Sequence, residues 1–161
     1  MKKIIPYLWF DNQAEEAAEF YASIFQNSKV GKITRYTKTG FEVHHQPEGK
    51  AMTVEFELNG QKFIALNGGP DFKFTPAVSF LVPCETQEEI DYFWEKLSAD
   101  PSAEQCGWLK DKFGLSWQIT PIILSKMLQD RDKEKVERVT AAFLPMKKFN
   151  IAELQKAYEG K

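Results

Sequence analysis

The chain opens on an apolar run, IIPYLWF at 4–10, that reads as a strand. It then passes into helical spacing over 11–25, DNQAEEAAEFYASIF. Ala17, Phe20, Tyr21 and Ile24 recur on one face of this segment, Asp11 or Asn12 stands where a cap belongs, and Glu15 and Glu16 favour the positive helix end. The pattern returns 73 residues later, with AVSFLVP at 77–83 as the strand and CETQEEIDYFWEKL at 84–97 as the helix. Glu15 and Glu16 fall on Glu88 and Glu89, Ala17 on Ile90, Phe20 on Phe93, Tyr21 on Trp94 and Ile24 on Leu97. A strand-helix unit is therefore repeated.

Strand-like material follows each helix. After the first come KITRYT (32–37), a polar loop at 38–50, then MTVEFEL (52–58) and KFIALN (62–67), joined by the tight-hairpin signal Asn59-Gly60. After the second come a weakly patterned stretch around Ala103 to Gln105 and then GWLKD and LSWQIT, turning at Gly114. Setting Gly60 on Gly114 puts Phe63 on Trp117 and Ile64 on Gln118. The plan is α+β: two βαβββ modules, 1–70 and 71–122, and a helical extension at 123–161, together one compact structural domain. The extension carries helical patterns near 123–143 and 150–159, the second running from an Asn150 cap to Gly160.

Composition narrows the function classes. A chain of 161 residues buries a sizeable core without disulfide or metal. Net charge −2 and pI 5.8 provide no basic field, which argues against a nucleic-acid partner. Residues 1–10 hold Pro6 and are too short for a signal h-region or a membrane span, so a cytoplasmic protein without a membrane partner is expected. Cys84 and Cys106 have neither CxxC spacing nor a histidine close by in sequence, so both read as reduced, small hydrophobes rather than zinc ligands or nucleophiles.

PYLWFDNQAEEAAEFYASIF near the start, LNGGPDFKF at the module junction and CGWLKDKFGLSWQITP, in this order and spacing, resemble the PhnB-like branch of the vicinal-oxygen-chelate superfamily. That superfamily also holds glyoxalases, bleomycin-resistance proteins and dioxygenases. The resemblance covers most of the chain and implies curled mixed sheets with helices on their convex faces. The branch is often labelled 3-demethylubiquinone-9 3-methyltransferase, yet the chain has no strand followed by a glycine-rich turn to receive S-adenosylmethionine. Metal-dependent relatives ligate a divalent ion through His and Glu on the first and fourth strands of each module. Those positions fall here at Ile4 and Ala77 and at Ile64 and Gln118, a set with a single amide oxygen. Neither the superfamily metal nor any other cofactor is expected.

Strand alternation then sorts the remaining residues. Leu115, Trp117 and Ile119 read as core, whereas Ser79, Ser116, Gln118 and, from the first module, Thr53, Glu55 and Glu57 line the other face as a ligand cavity. KFIALN alternates poorly, which leaves Asn67 as a further cavity candidate. Glu55 sits mid-strand, and an apolar cleft there would raise its pKa and suit it to general-base work. Trp108, near the charged turn, is placed at the cavity mouth, while Trp9, Trp94 and Trp117 read as packing between sheet and helices. His44 and His45 point opposite ways on an extended chain and cannot easily share an ion.

Four functions stand at this point. The first is a metal-free small-molecule-binding protein of the glyoxalase/bleomycin-resistance type, its ligand unnamed. The others are a divalent-metal lyase, isomerase or dioxygenase using Glu55 with His44 or His45, a methyltransferase, and an interaction domain with no ligand. A homodimer is expected in each, because superfamily members commonly build cavities by pairing modules across chains.

Overall fold

The repeated pattern folds as two copies of one motif. In a computed structural model describing residues 3–161, β1 (Tyr7–Phe10) leads into α1 (Ala14–Ile24), and β5 (Ser79–Cys84) leads into α3 (Gln87–Leu97). Between them lie β2 (Lys29–Arg35), the single turn α2 (Phe41–His44), β3 (Ala51–Leu58) and β4 (Gln61–Asn67). After α3 come β6 (Trp108–Lys110), β7 (Ser116–Pro121), α4 (Ile122–Leu128), α5 (Lys133–Phe143) and α6 (Ile151–Glu159). The chain separates into two compact units at 73/74, with α4, α5 and α6 in the second. The first two residues of the N-terminal stretch lie outside the described residues. No helix among the described residues is long and apolar enough to cross a membrane.

In the first unit the sheet order is β1-β4-β3-β2, with β1 parallel to β4 and the other pairs antiparallel. Asn59 and Gly60 both take positive φ, 47° and 77°, the backbone a two-residue hairpin between twisted strands requires. β1 begins at Tyr7 rather than at residue 4. Pro6 has no N–H to give to a ladder, and its carbonyl accepts the first pairing bond, from Ile64 N–H at 3.0 Å. Ala17, Ala18, Tyr21 and Ile24 of α1 are buried against one sheet face. There Phe56 stacks on Tyr21 (centroids 6.0 Å apart) and on Phe63 (5.2 Å), and Phe56→Ala would cost about 3–5 kcal/mol.

The second unit is a shorter version. Its sheet, β5-β7-β6, has three strands, so the predicted βαβββ plan is complete in the first module and lacks one strand here. Residues 98–107 instead carry a 3-10 turn at Pro101–Ala103 and one isolated bridge, Gln105 to Trp108. The backbone amides of Cys106 and Gly107 donate to Met146 O and Lys147 O at 2.8 and 2.7 Å, so the extension takes up groups that a further strand would have used. The helical pattern at 123–143 divides into α4 and α5, because Asp132 caps α5 through Glu134 N–H (3.0 Å) and Lys135 N–H (3.4 Å). At α6, Asn150 caps the start and Gly160 (φ 76°) the end, as the pattern implies.

The helices keep the 73-residue spacing, Ala14–Ile24 onto Gln87–Leu97. The strands do not. Leu8 and Phe10 face α1, and their counterparts by burial are Val82 and Cys84, a shift of 74, since three residues join β1 to α1 and two join β5 to α3. β4 maps onto β7 by 54, with Phe10–Asn67 and Cys84–Pro121 as equivalent pairs. Phe63 on Trp117 and Ile64 on Gln118 therefore keep their expected equivalence.

Candidate functional site

Each sheet has one face against its unit's helix and one face without a helix of that unit. In the first unit this open face carries Thr53, Glu55 and Glu57 of β3, Lys62, Ile64 and Leu66 of β4, and Tyr7 and Trp9 of β1, all opposite in alternation to the buried residues. Cross-strand register orders them: Trp9 beside Leu66 beside Thr53, and Tyr7 beside Ile64 beside Glu55. One half of the face is therefore apolar and aromatic, the other polar.

The polar half is crossed by two ion pairs. Lys62 Nζ stands 2.8 Å from Glu55 and Lys29 Nζ 3.4 Å from Glu57, while Thr34 and Thr53 share a hydroxyl hydrogen bond of 2.6 Å. The apolar cleft that a proton-abstracting Glu55 requires is not formed around it: the side chain is 32% exposed and salt-bridged. Lys62 was readable in the sequence as the residue alternating with Ile64 and Leu66, but its reach to Glu55 depends on the antiparallel register.

Asn67 is not a cavity residue. It is fully buried on the helix side of the sheet, its Oδ1 accepting from Ala14 N–H at 2.8 Å and its Nδ2 donating to Ala51 O at 3.0 Å. Tyr36 O–H donates to the Asn67 carbonyl at 2.6 Å, and burial, then the nearby Tyr7, raises the Tyr36 hydroxyl above its ordinary pKa. Asn67 thus ties the starts of α1 and β3 to the end of β4. Neither Asp11 nor Asn12 caps α1: the cap residue is Gln13, which makes no side-chain cap bond.

In the second unit Ser79, Gln118 and Trp108 come together on the open face. Gln118 Nε2 donates to Ser79 Oγ at 2.8 Å, and Trp108 is the direct cross-strand neighbour of Gln118 within β6, away from the turn. Ser116 shares their alternation but is only 3% exposed. The hairpin that carries them is held by a residue the sequence did not mark, Asp111. It is 3% exposed and accepts from the backbone N–H groups of Phe113 (2.9 Å) and Leu115 (3.0 Å) and from Trp117 Nε1 (2.8 Å). Trp117 is core as expected, whereas Trp9, expected between sheet and helix, lies on the open face.

The positions expected to carry the superfamily's metal ligands hold few donors. Ile4 precedes β1 at 90% exposure, and matched face for face it falls on Val78 rather than Ala77. Among the open-face pairs across the first and last strands, Tyr7 with Ile64 and Leu81 with Gln118 offer one phenol and one amide, a set that does not fit a divalent ion. His44 is occupied within its loop, accepting from Gln46 N–H at Nδ1 (3.0 Å) with Nε2 3.3 Å from Thr39 O. No three His, Cys, Asp or Glu among the described residues converge as a metal site. Burial, with a smaller push from the Glu89 charge, raises the Cys84 thiol to about 12, which keeps it out of nucleophile chemistry. A concavity of about 380 Å³ lies between α4 and α6, lined by Ile123, Lys126, Met127, Gln155, Tyr158 and Glu159, and none of the predicted site residues reaches it.

A strand-helix unit whose first strand runs parallel to the last strand of its sheet connection, present twice, defines an α+β protein built on a repeated module. More narrowly, the chain belongs to the family described as 3-demethylubiquinone-9 3-methyltransferase, whose model matches residues 2–120. Among solved structures it is similar to a PhnB protein from Bacillus cereus, described as a candidate 3-demethylubiquinone-9 3-methyltransferase, with 39% identity and TM-score 0.61 over 74% of this chain and 99% of that one. It also shares its fold with protein PA1353 from Pseudomonas aeruginosa, at 17% identity and TM-score 0.54 over 75% of this chain and 98% of that one. No curated protein matches the sequence.

Proposed function

We propose that the protein binds a small molecule on the open face of the first sheet, as a glyoxalase/bleomycin-resistance-type binding protein without the superfamily metal. The observation that carries this reading is the division of that face into an aromatic half, Tyr7 and Trp9, and a hydrogen-bonding half, Thr53, Glu55 and Lys62. Apolar surface with a few placed polar groups is the usual make-up of small-molecule sites. Ser79 and Gln118 on the second sheet form a smaller polar counterpart. A cytoplasmic homodimer goes with this reading, because the outer edges of β1 and β2 and the exposed Tyr7 and Ile33 gain from being covered by a second copy.

Methyl transfer has less support. β1 runs into Asp11-Asn12-Gln13 and β5 into Glu85-Thr86, and neither connection has the glycines that let a nucleotide-bearing cofactor approach the helix start. These residues do not fit S-adenosylmethionine.

A compound library screened by protein NMR on the full chain, with S-adenosylmethionine as one member, tests the reading. Binders that shift Trp9, Thr53 and Glu55 signals are expected, with S-adenosylmethionine silent. Binders confined to the groove between α4 and α6, or a shift of β1 by S-adenosylmethionine, would overturn it. Elemental mass spectrometry of chelator-free protein is the companion measurement, with less than one divalent ion per chain expected.

A further inference from the structure

The groove between α4 and α6 is built wholly from residues 123–159, beyond the stretch the chain shares with its family, whose model ends at residue 120. The shorter Bacillus cereus protein is matched over 99% of its length by 74% of this chain. α5 packs against both α4 and α6 and holds them on either side of the concavity. The α4 sequence, IILSKML, is apolar at five of its 7 positions, yet only Leu124 and Met127 are buried. Ile122 and Leu128 remain 37% and 38% exposed, and Ile123 is half-buried. A helix apolar over most of its surface gains from further cover. Ile123 and Met127, four residues apart, share one face of α4 and line the groove with Tyr158 of α6.

The charges around this apolar strip are matched, with one exception. Glu159 faces Lys161 Nζ at 2.7 Å. Asp130 accepts the Tyr158 hydroxyl, and Lys135, whose Nζ stands 4.9 Å from the centre of the Tyr158 ring, acts on the same carboxylate. Asp132 turns its carboxylate to the first amides of α5. The Lys126 ammonium and the Gln155 carboxamide, by contrast, are engaged by no hydrogen bond or ion pair among the described residues. An unmatched ammonium and a free amide N–H beside an apolar strip suit an anion with an apolar tail, because charge-assisted hydrogen bonds to a carboxylate are the strong ones. A cationic head would set like charge against Lys126. The 7 residues of α4 span about 10 Å, which limits the length of chain that can lie along it.

We propose that the groove between α4 and α6 is a second binding site, for an aliphatic carboxylate of medium chain length. The hydrocarbon lies along Ile123, Met127 and the Tyr158 ring, and the carboxylate accepts from Lys126 Nζ and the Gln155 amide. This site stands independently of the open-face reading.

Four probes test it on the full chain, each kept below its micellar concentration: octanoate, hexanoate, octylammonium and 1-octanol. The Met127 methyl is followed by NMR, with the Trp9 indole N–H as reference. Octanoate should shift Met127, leave Trp9 unmoved, and bind about tenfold more tightly than octylammonium. Hexanoate, covering two fewer methylenes, should bind about fivefold more weakly than octanoate. Lys126→Gln, at an exposed position, should weaken octanoate about tenfold while leaving 1-octanol within about twofold, and Lys126→Arg should restore most of the loss. Octylammonium binding as tightly as octanoate, an unchanged octanoate affinity in Lys126→Gln, or a Met127 methyl that no probe shifts would each overturn the proposal. Octanoate shifting Trp9 in place of Met127 would overturn it too, and would count for the open-face site instead.

Discussion

The two modules begin their helices differently, and the difference shows how one topology can be stabilised locally or at long range. In α3 the cap lies within the helix sequence: Thr86 Oγ1 accepts from Glu89 N–H at 3.3 Å, and the Glu89 carboxylate accepts from Thr86 N–H in return. In α1 the first-turn amide Ala14 N–H is satisfied from 53 residues away by Asn67 at the end of β4. The residue in Asn67's place in the second module is Pro121, which has no side-chain acceptor to offer. A local capping box stands where the distant cap is missing. The first helix is therefore coupled to completion of its sheet, and the second can form on its own terms.

Asn67→Ala strikes the contrast between the modules most directly. It strips partners from two buried backbone groups, Ala14 N–H and Ala51 O, each costing about 1–3 kcal/mol when orphaned. Urea unfolding should show a loss of about 3 kcal/mol, with amide exchange accelerating in α1 and β3; a loss below about 1 kcal/mol would dissolve the contrast between the modules. Next comes Asp111→Ala, which frees the Phe113 and Leu115 amides and the Trp117 indole and should cost about 2–4 kcal/mol. Asp111→Asn is the sharper variant, because an amide keeps Oδ1 but can turn an N–H toward the Trp117 N–H. By contrast, the β3–β4 hairpin relies on positive φ at Asn59 and Gly60, so Gly60→Val should be costly there through backbone strain.

The alkaline limb separates the modules again through Cys84. Its thiol is raised from an ordinary 9.0 to about 12 by burial first and Glu89 second. With the folded value above the unfolded one, this group's contribution is fully present below about 9 and is lost as pH rises toward 12. Unfolding free energies measured between pH 8 and 11 should fall more steeply for the parent than for Cys84→Ala, by at most about 1.4 kcal/mol per pH unit. Identical slopes would mean the thiol ionises freely in the fold. Thr86→Ala should cost about 1 kcal/mol and act on α3 alone, as loss of a local cap does. Glu55→Gln is the smallest, within about 0.5 kcal/mol, because its ion pair with Lys62 is part-exposed; its effect should appear in ligand affinity instead.

Much of this molecule is legible in the chain. The helical spacing of Ala17, Tyr21 and Ile24, its return at Ile90 and Leu97, the Asn59-Gly60 turn and the Asn150 and Gly160 caps all follow from interactions between residues a few positions apart. So does the alternation that sets Thr53, Glu55 and Glu57 on one face of β3 and Val54, Phe56 and Leu58 on the other. The poor alternation of KFIALN was itself informative, since it ends in a polar residue buried for structural reasons. Errors arose where a second strand or a loop length intervened: the one-residue difference between the β1–α1 and β5–α3 connections moved Ile4 off its supposed equivalent.

What the sequence determined by itself is therefore the set of elements, their repeat and the chemical character of each face, because short-range periodicity and turn chemistry decide them. Only tertiary structure decided that Asn67 caps a helix, that Lys62 neutralises Glu55, that Asp111 fixes a hairpin from within, and that Trp9 lies on the open face beside Phe72. Each of these depends on strand register and strand order, in which a one-residue slip exchanges the two faces of a sheet, and on contacts between residues that are distant in sequence, whose satisfaction no local pattern records.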